Sequence, residues 1–411
     1  MDQQSYKIAL AILYIMSFGG TPDTSNCEIH TPHNILHLWK EDIHVMKNRD
    51  RRDTAQKEMT PSKKIPVLVD GVVLNGPQTD VKAGEKFVEE VCRLVMEEVC
   101  EWQPPEQLRQ LLDLEMRDTG ESQDKLLRLC RDVIHFSVKT NHPRFFNQLY
   151  AGLDYYSLAA RILTEALNPS IYTYEVSPVF LLVEEAVLKK MIECIGWKEG
   201  DGIFNPGGSV SNMCAMNLAR YRYYPDVKEK GLSGLPRLIL FTSAECHYSM
   251  KKAASFLGIG TQNVYFVETD GRGKMIPEEL ERRIGQARQE GAVPFLVCAT
   301  SGTTVLGAFD PLDEIAEICE RHGLWLHVDA SWGGSALVSR KHRQLLHGIH
   351  RADSVAWNPH KMLMAGIQCS ALLVKDKTVS FLLIFGNPVN STLKCLEATL
   401  LLIPCRLGLI R

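Results

Sequence analysis

Between Ser177 and Val374 the apolar positions alternate between a helical and an extended rhythm. Ser177 followed by Pro178 sets an N-cap ahead of a proline at the first helical position, and Phe180, Val183, Val187, Leu188 and Met191 then recur at helical spacing. Short β-rich runs follow at Leu238–Thr242, Val264–Val267, Phe295–Ala299, Leu324–Val328, Ser354–Trp357 and Ala371–Val374. Helical patterns separate them. Asp310 and Pro311, for example, open one in which Leu312, Ile315, Ala316 and Cys319 face inward and which stops at Gly323. This alternation predicts an α/β fold, a mostly parallel sheet flanked by helices on both faces. In such sheets ligands bind outside the carboxyl ends of the strands, so polar residues just after each strand become the candidates for chemistry.

The amino-terminal part reads differently. Apolar spacing is helical from Lys82 to Glu101 and from Pro105 to Met116, which predicts an N-terminal helical arm over residues 66–150. Arms of this kind often pack on a partner subunit, and a homodimer is the expected assembly. Residues 1–65, with a charge-dense stretch from Lys40 to Lys64, read as a poorly ordered leader. The run Ile8–Phe18 is too short to span a bilayer and lacks the basic leader and cleavage pattern of a secretory signal. His30, His33 and His37 would share a helix face if that stretch were helical, which leaves a metal constellation open beside the plainer reading of solvated histidines. Residues 151–377 make the large domain, and 378–411 form an atypical apolar tail.

Composition narrows the classes. The 411 residues are 45% hydrophobic and 23% charged, as in a soluble globular protein, and a net charge of −3 gives no basic footprint for nucleic acid. Twelve cysteines lie scattered from Cys27 to Cys405 with no C-x-x-C pair and no zinc-ligand spacing. Reduced thiols in the cytosol are the reading that follows, with no membrane partner and no metal.

Five features carry chemistry. Asn-Pro-Gly-Gly-Ser-Val-Ser-Asn, residues 205–212, runs into a helical pattern, where glycines admit a close ligand, the helix start favours an anion, and Ser209 and Ser211 add hydroxyls. The same sequence also serves as an ordinary turn and cap. Asp329 at the end of a buried strand needs a partner, either a pyridinium N–H or the turn into Trp332-Gly333-Gly334. Lys361 follows Asn358-Pro359-His360 at another strand end, where a partly desolvated amine could form an imine, though most lysines are surface charges. His247, after the strand ending at Thr242, could stack on an aromatic cofactor and exchange a proton, or be a satisfied structural group. Thr300, in Thr-Ser-Gly-Thr-Thr, offers a hydroxyl near the same edge. Taken together, these residues at successive strand ends satisfy the polar features of pyridoxal 5′-phosphate.

Through Asn205–Met213, Ser243–Ala253, Thr300–Pro311, Leu324–Ala330 and Asn358–Lys361 the sequence resembles the group II pyridoxal-phosphate-dependent decarboxylases of fold type I, over about Val69 to Lys377. Within them it is most similar to the glutamate and cysteine sulfinate decarboxylase branch. The resemblance implies the large domain of that fold with Lys361 attached to the cofactor, Asp329 paired with the pyridine nitrogen, and His247 stacked on the ring. It also implies that Ser209, Val210, Ser211, Asn358 and His360 help hold the cofactor, with Thr300 nearby. Ser331 stands where the family often has alanine beneath the ring, and Gln148 matches a substrate-contacting segment.

The implied reaction is decarboxylation of small acidic amino acids: aspartate to β-alanine, cysteine sulfinate to hypotaurine, cysteate to taurine. Glutamate is less favoured, because Tyr150 stands where the glutamate enzymes have a small residue. After Lys377 the family continues into a mobile loop and a small C-terminal domain. Here Thr378–Arg411 has no visible counterpart, and its runs Phe381–Phe385 and Leu400–Ile403 would expose apolar surface unless covered. Two rivals therefore stand beside an active enzyme: a catalytically inactive partner of a full-length subunit, and another fold type I enzyme such as a transaminase or desulfurase. The Asn-Pro-His-Lys and Gly-Gly-Ser contexts argue against the second.

Overall fold

The computed structural model describes residues 68–69, 72–73, 81–97, 101–170 and 174–378. The expected leader, the three histidines His30, His33 and His37, and all of the apolar tail beyond Thr378 lie outside the described residues. The described residues fall into two compact units that divide between His142 and Pro143.

The first unit holds a two-residue hairpin, β1 (Leu68–Val69) and β2 (Val72–Val73), and three helices: α1 (Val81–Glu97), α2 (Pro105–Leu111) and α3 (Gln123–Phe136). The helical spacing around α2 extends to Met116 in sequence, but the helix stops at Leu111. Leu112 turns to extended backbone, and Asp113 is drawn into ion pairs with Arg117 and Lys125. Helix α3, which apolar spacing did not reveal, starts where the Ser122 hydroxyl accepts the N–H of Lys125.

The second unit is built on a sheet. Its elements in chain order are α4 (Tyr155–Leu167), α5 (Pro178–Ile195), β3 (Asp201–Asn205), α6 (Gly208–Tyr223), α7 (Val227–Lys230), β4 (Leu238–Ser243), α8 (Ser249–Phe256) and β5 (Val264–Val267). Then come α9 (Pro277–Gln289), β6 (Val293–Thr300), α10 (Leu312–His322), β7 (Trp325–Ala330), β8 (Ser354–Trp357) and β9 (Ser370–Val374). The strands form one seven-stranded sheet in the order β3-β9-β8-β7-β6-β4-β5. β9 is antiparallel to both its neighbours, and every other pairing is parallel.

Six of these strands match the apolar runs of the sequence. β3 does not, because only Ile203 and Phe204 follow a turn-like Asp201-Gly202. Gly202 eases the fit there, since a Cβ would lie 2.8 Å from Leu373 Cδ2 and 3.0 Å from Leu188 Cδ2 and would make those side chains shift. Ser177 takes the N-cap position of α5, yet its buried hydroxyl makes no capping bond.

Alternation along the strands assigns two faces. Leu326, Val328 and Ala330 of β7, with Val355 and Trp357 of β8 and Ala371 and Leu373 of β9, join the core under α5, α9 and α10. The opposite face, under α6 and α8, takes Trp325, Leu372 and Val374 but also the buried polar residues His327, Asp329, Ser354 and Ser370. Helix α6 meets that seam with its own buried Ser211 and Asn212. A polar seam at the centre of a sheet is unfavourable unless every group is paired.

Among the described residues no helix is long and apolar enough to cross a membrane. Asp310, 3% exposed, ties the end of β6 to the turn before α9: one oxygen accepts the Thr300 N–H and the other the Met275 N–H, both at 2.7 Å. Asp310→Asn sets an amide NH2 against one of those donors. We expect it to cost about 2 kcal/mol in urea unfolding, with little change in overall secondary structure.

Candidate active site

The carboxyl ends of β3, β4, β6, β7 and β8 and the start of β9 lie at one edge of the sheet, around a cavity of about 260 Å³. Polar side chains from four of these strand ends converge on it: His247, Thr300, Asp329 and Lys361. Asp329 lies within β7 rather than after it, in register with Thr300 on one side and Ala356 on the other. It is 5% exposed. One carboxylate oxygen accepts the backbone N–H of Ser331 at 3.1 Å and the other accepts Nδ2 of Asn212 at 2.9 Å. Burial pushes the carboxyl up, but these donors, with His327 and Lys361 acting in the same sense, outweigh it and hold Asp329 below the ordinary carboxylate range. It is an ionised acceptor in a dry setting.

Lys361 sits on a tight turn after β8, where its N–H bonds the Asn358 carbonyl at 3.0 Å. Burial lowers its amine below the ordinary lysine value, and Asp329 opposes that only in part. His360 beside it also lines the cavity, and its Nδ1 lies 2.6 Å from the Cys369 carbonyl and 3.1 Å from the Cys369 backbone nitrogen, contacts that tie the turn to the start of β9 and so fix where Lys361 emerges. His247 lies between β4 and α8 and accepts the Ser249 N–H at Nδ1, 3.2 Å. Burial lowers its pKa, with Lys361 and Lys252 acting in the same sense and Asp329 against. A neutral imidazole so held carries its proton on Nε2.

At another part of the cavity wall, Gly207 enters α6 with φ 104°, a conformation that favours glycine. A Cβ on Gly208 would lie 2.8 Å from both Asn358 Nδ2 and Ser331 Oγ, so backbone and polar side chains close tightly there. The first N–H groups of α6, near Gly208 and Ser209, have no partners within the helix, which makes this an anion-favouring corner. Val210 and Ser211 do not line the cavity. Ser211 instead stands behind Asn358. Ser370 donates to Asn358 Oδ1 at 2.6 Å, so Ser211 donates to Ser370 at 3.1 Å, and Asn205 donates to Ser211 at 3.2 Å. That sequence of bonds turns the Asn358 NH2 toward Gly208. Thr300 Oγ1 is buried and has no hydrogen-bond partner.

Gln148 is exposed and does not line the cavity; its carbonyl accepts the indole N–H of Trp332 at 2.8 Å, and its neighbour Leu149 reaches the cavity wall. Tyr150 packs on Phe145, ring centroids 5.3 Å apart, and is not part of the lining. Trp332, Asn212 and Gln368 were not singled out from the sequence but line the cavity. Among the described residues no cluster of three or more His, Cys, Asp or Glu could hold a metal ion.

Comparison with known proteins agrees with this geometry. A family model, the pyridoxal-dependent decarboxylase conserved domain, matches residues 105–381. Acidic amino acid decarboxylase GADL1 of Mus musculus is 90% identical over 337 residues, covering 79% of this chain and 61% of the relative. Cysteine sulfinic acid decarboxylase of Rattus norvegicus is 67% identical over 280 residues, covering 68% of this chain and 57% of the relative. The chain thus spans about three fifths of the length of these two curated relatives. The crystal structure of mouse CSAD superposes with a TM-score of 0.71 at 62% identity, over 73% of this chain and 66% of that one.

A lysine with a lowered amine pKa weakens the fold at neutral pH. Below its folded pKa it is charged in both states, and only the folded state pays for burying the charge; the penalty vanishes above the ordinary value of 10.5. Lys361→Met is therefore expected to raise the melting temperature of the cofactor-free chain at pH 7. The gain should shrink steadily as the pH of the melt is raised toward 10.5.

Proposed function

We infer the function of this chain from one premise: it belongs to the pyridoxal-dependent decarboxylase family. The reading is pyridoxal-phosphate-dependent decarboxylation of small acidic amino acids, with aspartate, cysteine sulfinate and cysteate as substrates. The observation that carries it is a half-buried lysine amine, lowered toward neutrality, in one cavity with an ionised carboxylate and a helix start. The names of the relatives, an acidic amino acid decarboxylase and a cysteine sulfinic acid decarboxylase, support the substrate class.

The residues present fit the cofactor. Thr300, a cavity-lining residue, has a buried hydroxyl without a partner in the protein, and the Gly208 corner, where a Cβ would crowd Asn358 and Ser331, suits a phosphate rather than a side chain. Bound there, pyridoxal phosphate supplies an electron sink for the pair left behind when a carboxylate departs as CO2. Lys361 Nζ is the amine that would hold the cofactor. Asp329 holds a proton on the pyridine nitrogen, a role that its ionised state in a dry pocket serves. His247 offers an aromatic face and an Nε2 proton. Asn358 and Ser209, with the α6 start, grip the phosphate, and Ser211 acts on it only through Ser370 and Asn358. Trp332, braced on the Gln148 carbonyl, supplies an aromatic part of the cavity wall.

A cytosolic setting is supported by the eight cysteines among the described residues, all unpaired. A homodimer is supported by exposed apolar residues on α5, Val179 and Leu182.

Reduction with borohydride after incubation with pyridoxal phosphate, followed by peptide mapping, is expected to place the label on Lys361, and Lys361→Ala to lose it. CO2 release from aspartate or cysteine sulfinate should disappear in the same variant. A label on any other lysine overturns the reading. Gly208→Ala should weaken cofactor binding by about tenfold or more in equilibrium dialysis, because its Cβ, 2.8 Å from Asn358 Nδ2 and Ser331 Oγ, would displace the side chains that border the anion-favouring corner.

A further inference from the structure

Asn212 lies beneath Asp329, and what fixes Asn212 is a second line of buried groups running away from the cavity. Its Nδ2 stands 2.9 Å from Asp329 Oδ2 and 2.9 Å from Ser249 Oγ, and its Oδ1 stands 3.0 Å from His327 Nε2. His327 Nδ1 in turn is 2.9 Å from Ser354 Oγ, which accepts the indole N–H of Trp325 at 2.9 Å. Asn212, His327 and Ser354 are 1% exposed or less.

The directions of these bonds follow from one end. An ionised carboxylate only accepts, so the Asn212 NH2 faces Asp329 and its carbonyl oxygen faces His327. The imidazole must then donate from Nε2. Burial outweighs the opposing charge of Asp329 and keeps the ring neutral, its pKa pushed down to about 4, so Nδ1 carries a lone pair and accepts from Ser354. Trp325, which can only donate, closes the far end.

We propose that His327 is a positioning residue for the Asp329 carboxylate, acting through Asn212 with its proton held on Nε2. Its N–H prevents the Asn212 amide from turning over, which would aim a carbonyl oxygen at Asp329 in place of the NH2. The same amide donates its second proton to Ser249, whose backbone N–H is bonded to His247, so one side chain orients both the carboxylate and the imidazole of the cavity. The inference deepens the cofactor reading and rests on it for its second arm only.

The first arm needs no cofactor. Nitrogen-15 spectra of the full chain with labelled histidine, assigned by the signal missing in His327→Gln, should show His327 at pH 7 as neutral with the proton on Nε2. A proton on Nδ1, or a charged ring, overturns the proposal whatever the protein binds. The second arm measures pyridoxal phosphate affinity by equilibrium dialysis. His327→Leu should weaken it by about tenfold, while His327→Gln, which keeps a donor at the Nε2 position, should stay within about threefold of the unaltered chain. In an Asn212→Ala background the His327→Leu change should cost little more, because the amide it steers is gone. Equal affinity of a folded His327→Leu chain overturns the proposal, and so does an undiminished loss in the Asn212→Ala background. If the His327→Leu chain does not fold, the spectra still decide. Failure of the unaltered chain to bind the cofactor counts against the functional reading alone, since the tautomer stands or falls without it.

Discussion

The structure turns on keeping one carboxylate ionised in the middle of a sheet. Asp329 is nearly inaccessible, and an unpaired charge there would be too costly to bury. Two donors hold it, one from its own strand end at Ser331 and one from helix α6 at Asn212. The helix is thus more than a cover for apolar surface. Its buried face is matched to a polar stripe on the strands below, and the fit between the two depends on hydrogen bonds as much as on packing.

Two lines of bonds on that face end in the same way. From Asn205 through Ser211 and Ser370 the line reaches Asn358, whose NH2 is turned to the anion-favouring corner at Gly208. From Trp325 through Ser354 and His327 the other reaches Asn212, whose NH2 is turned to Asp329. Asparagine suits both ends, because an amide anchored at its oxygen has only donors left to present. Each line runs between elements far apart in the chain, so the geometry at the cavity is fixed only once the sheet has closed. Preorganised donors of this kind need no rearrangement when charge arrives.

Much of this was legible in the sequence, and the limits have physical causes. Five strands showed as apolar runs because both faces of a central strand are buried, and the edge strand β5 because none of its four residues is exposed, while β3, at the other edge and half exposed, left only two apolar residues as a trace. Asp329 and Thr300 could be read because each directly follows such a run, and Lys361 and His247 because each comes within five residues of the end of one. Asn212 could not be separated from its motif, since its partners Asp329 and His327 lie 117 and 115 residues away. Ser211 was readable as polar and near a phosphate corner, but which way a helical side chain faces is decided by packing, and it faces Ser370 rather than the cavity. Trp332 gave no periodic signal at all; its place comes from Gly302, where a side chain would lie 2.6 Å from the indole.

The same geometry sets stability against function. The Lys361 amine is half-buried with its pKa lowered by that burial, and the Thr300 hydroxyl is buried without a partner. Each is therefore a small cost to the empty fold, and the surrounding sheet must supply the difference. A guest that pairs with both returns that cost as binding free energy, because a ligand that binds the folded state alone adds its affinity to stability. Asp329 works in the opposite sense, since its donors are already in place and no guest is needed to hold it ionised. The cavity thus combines one group satisfied by the protein with two left for the guest to satisfy. That division explains how a largely buried edge can stay folded and yet retain chemical potential to bind.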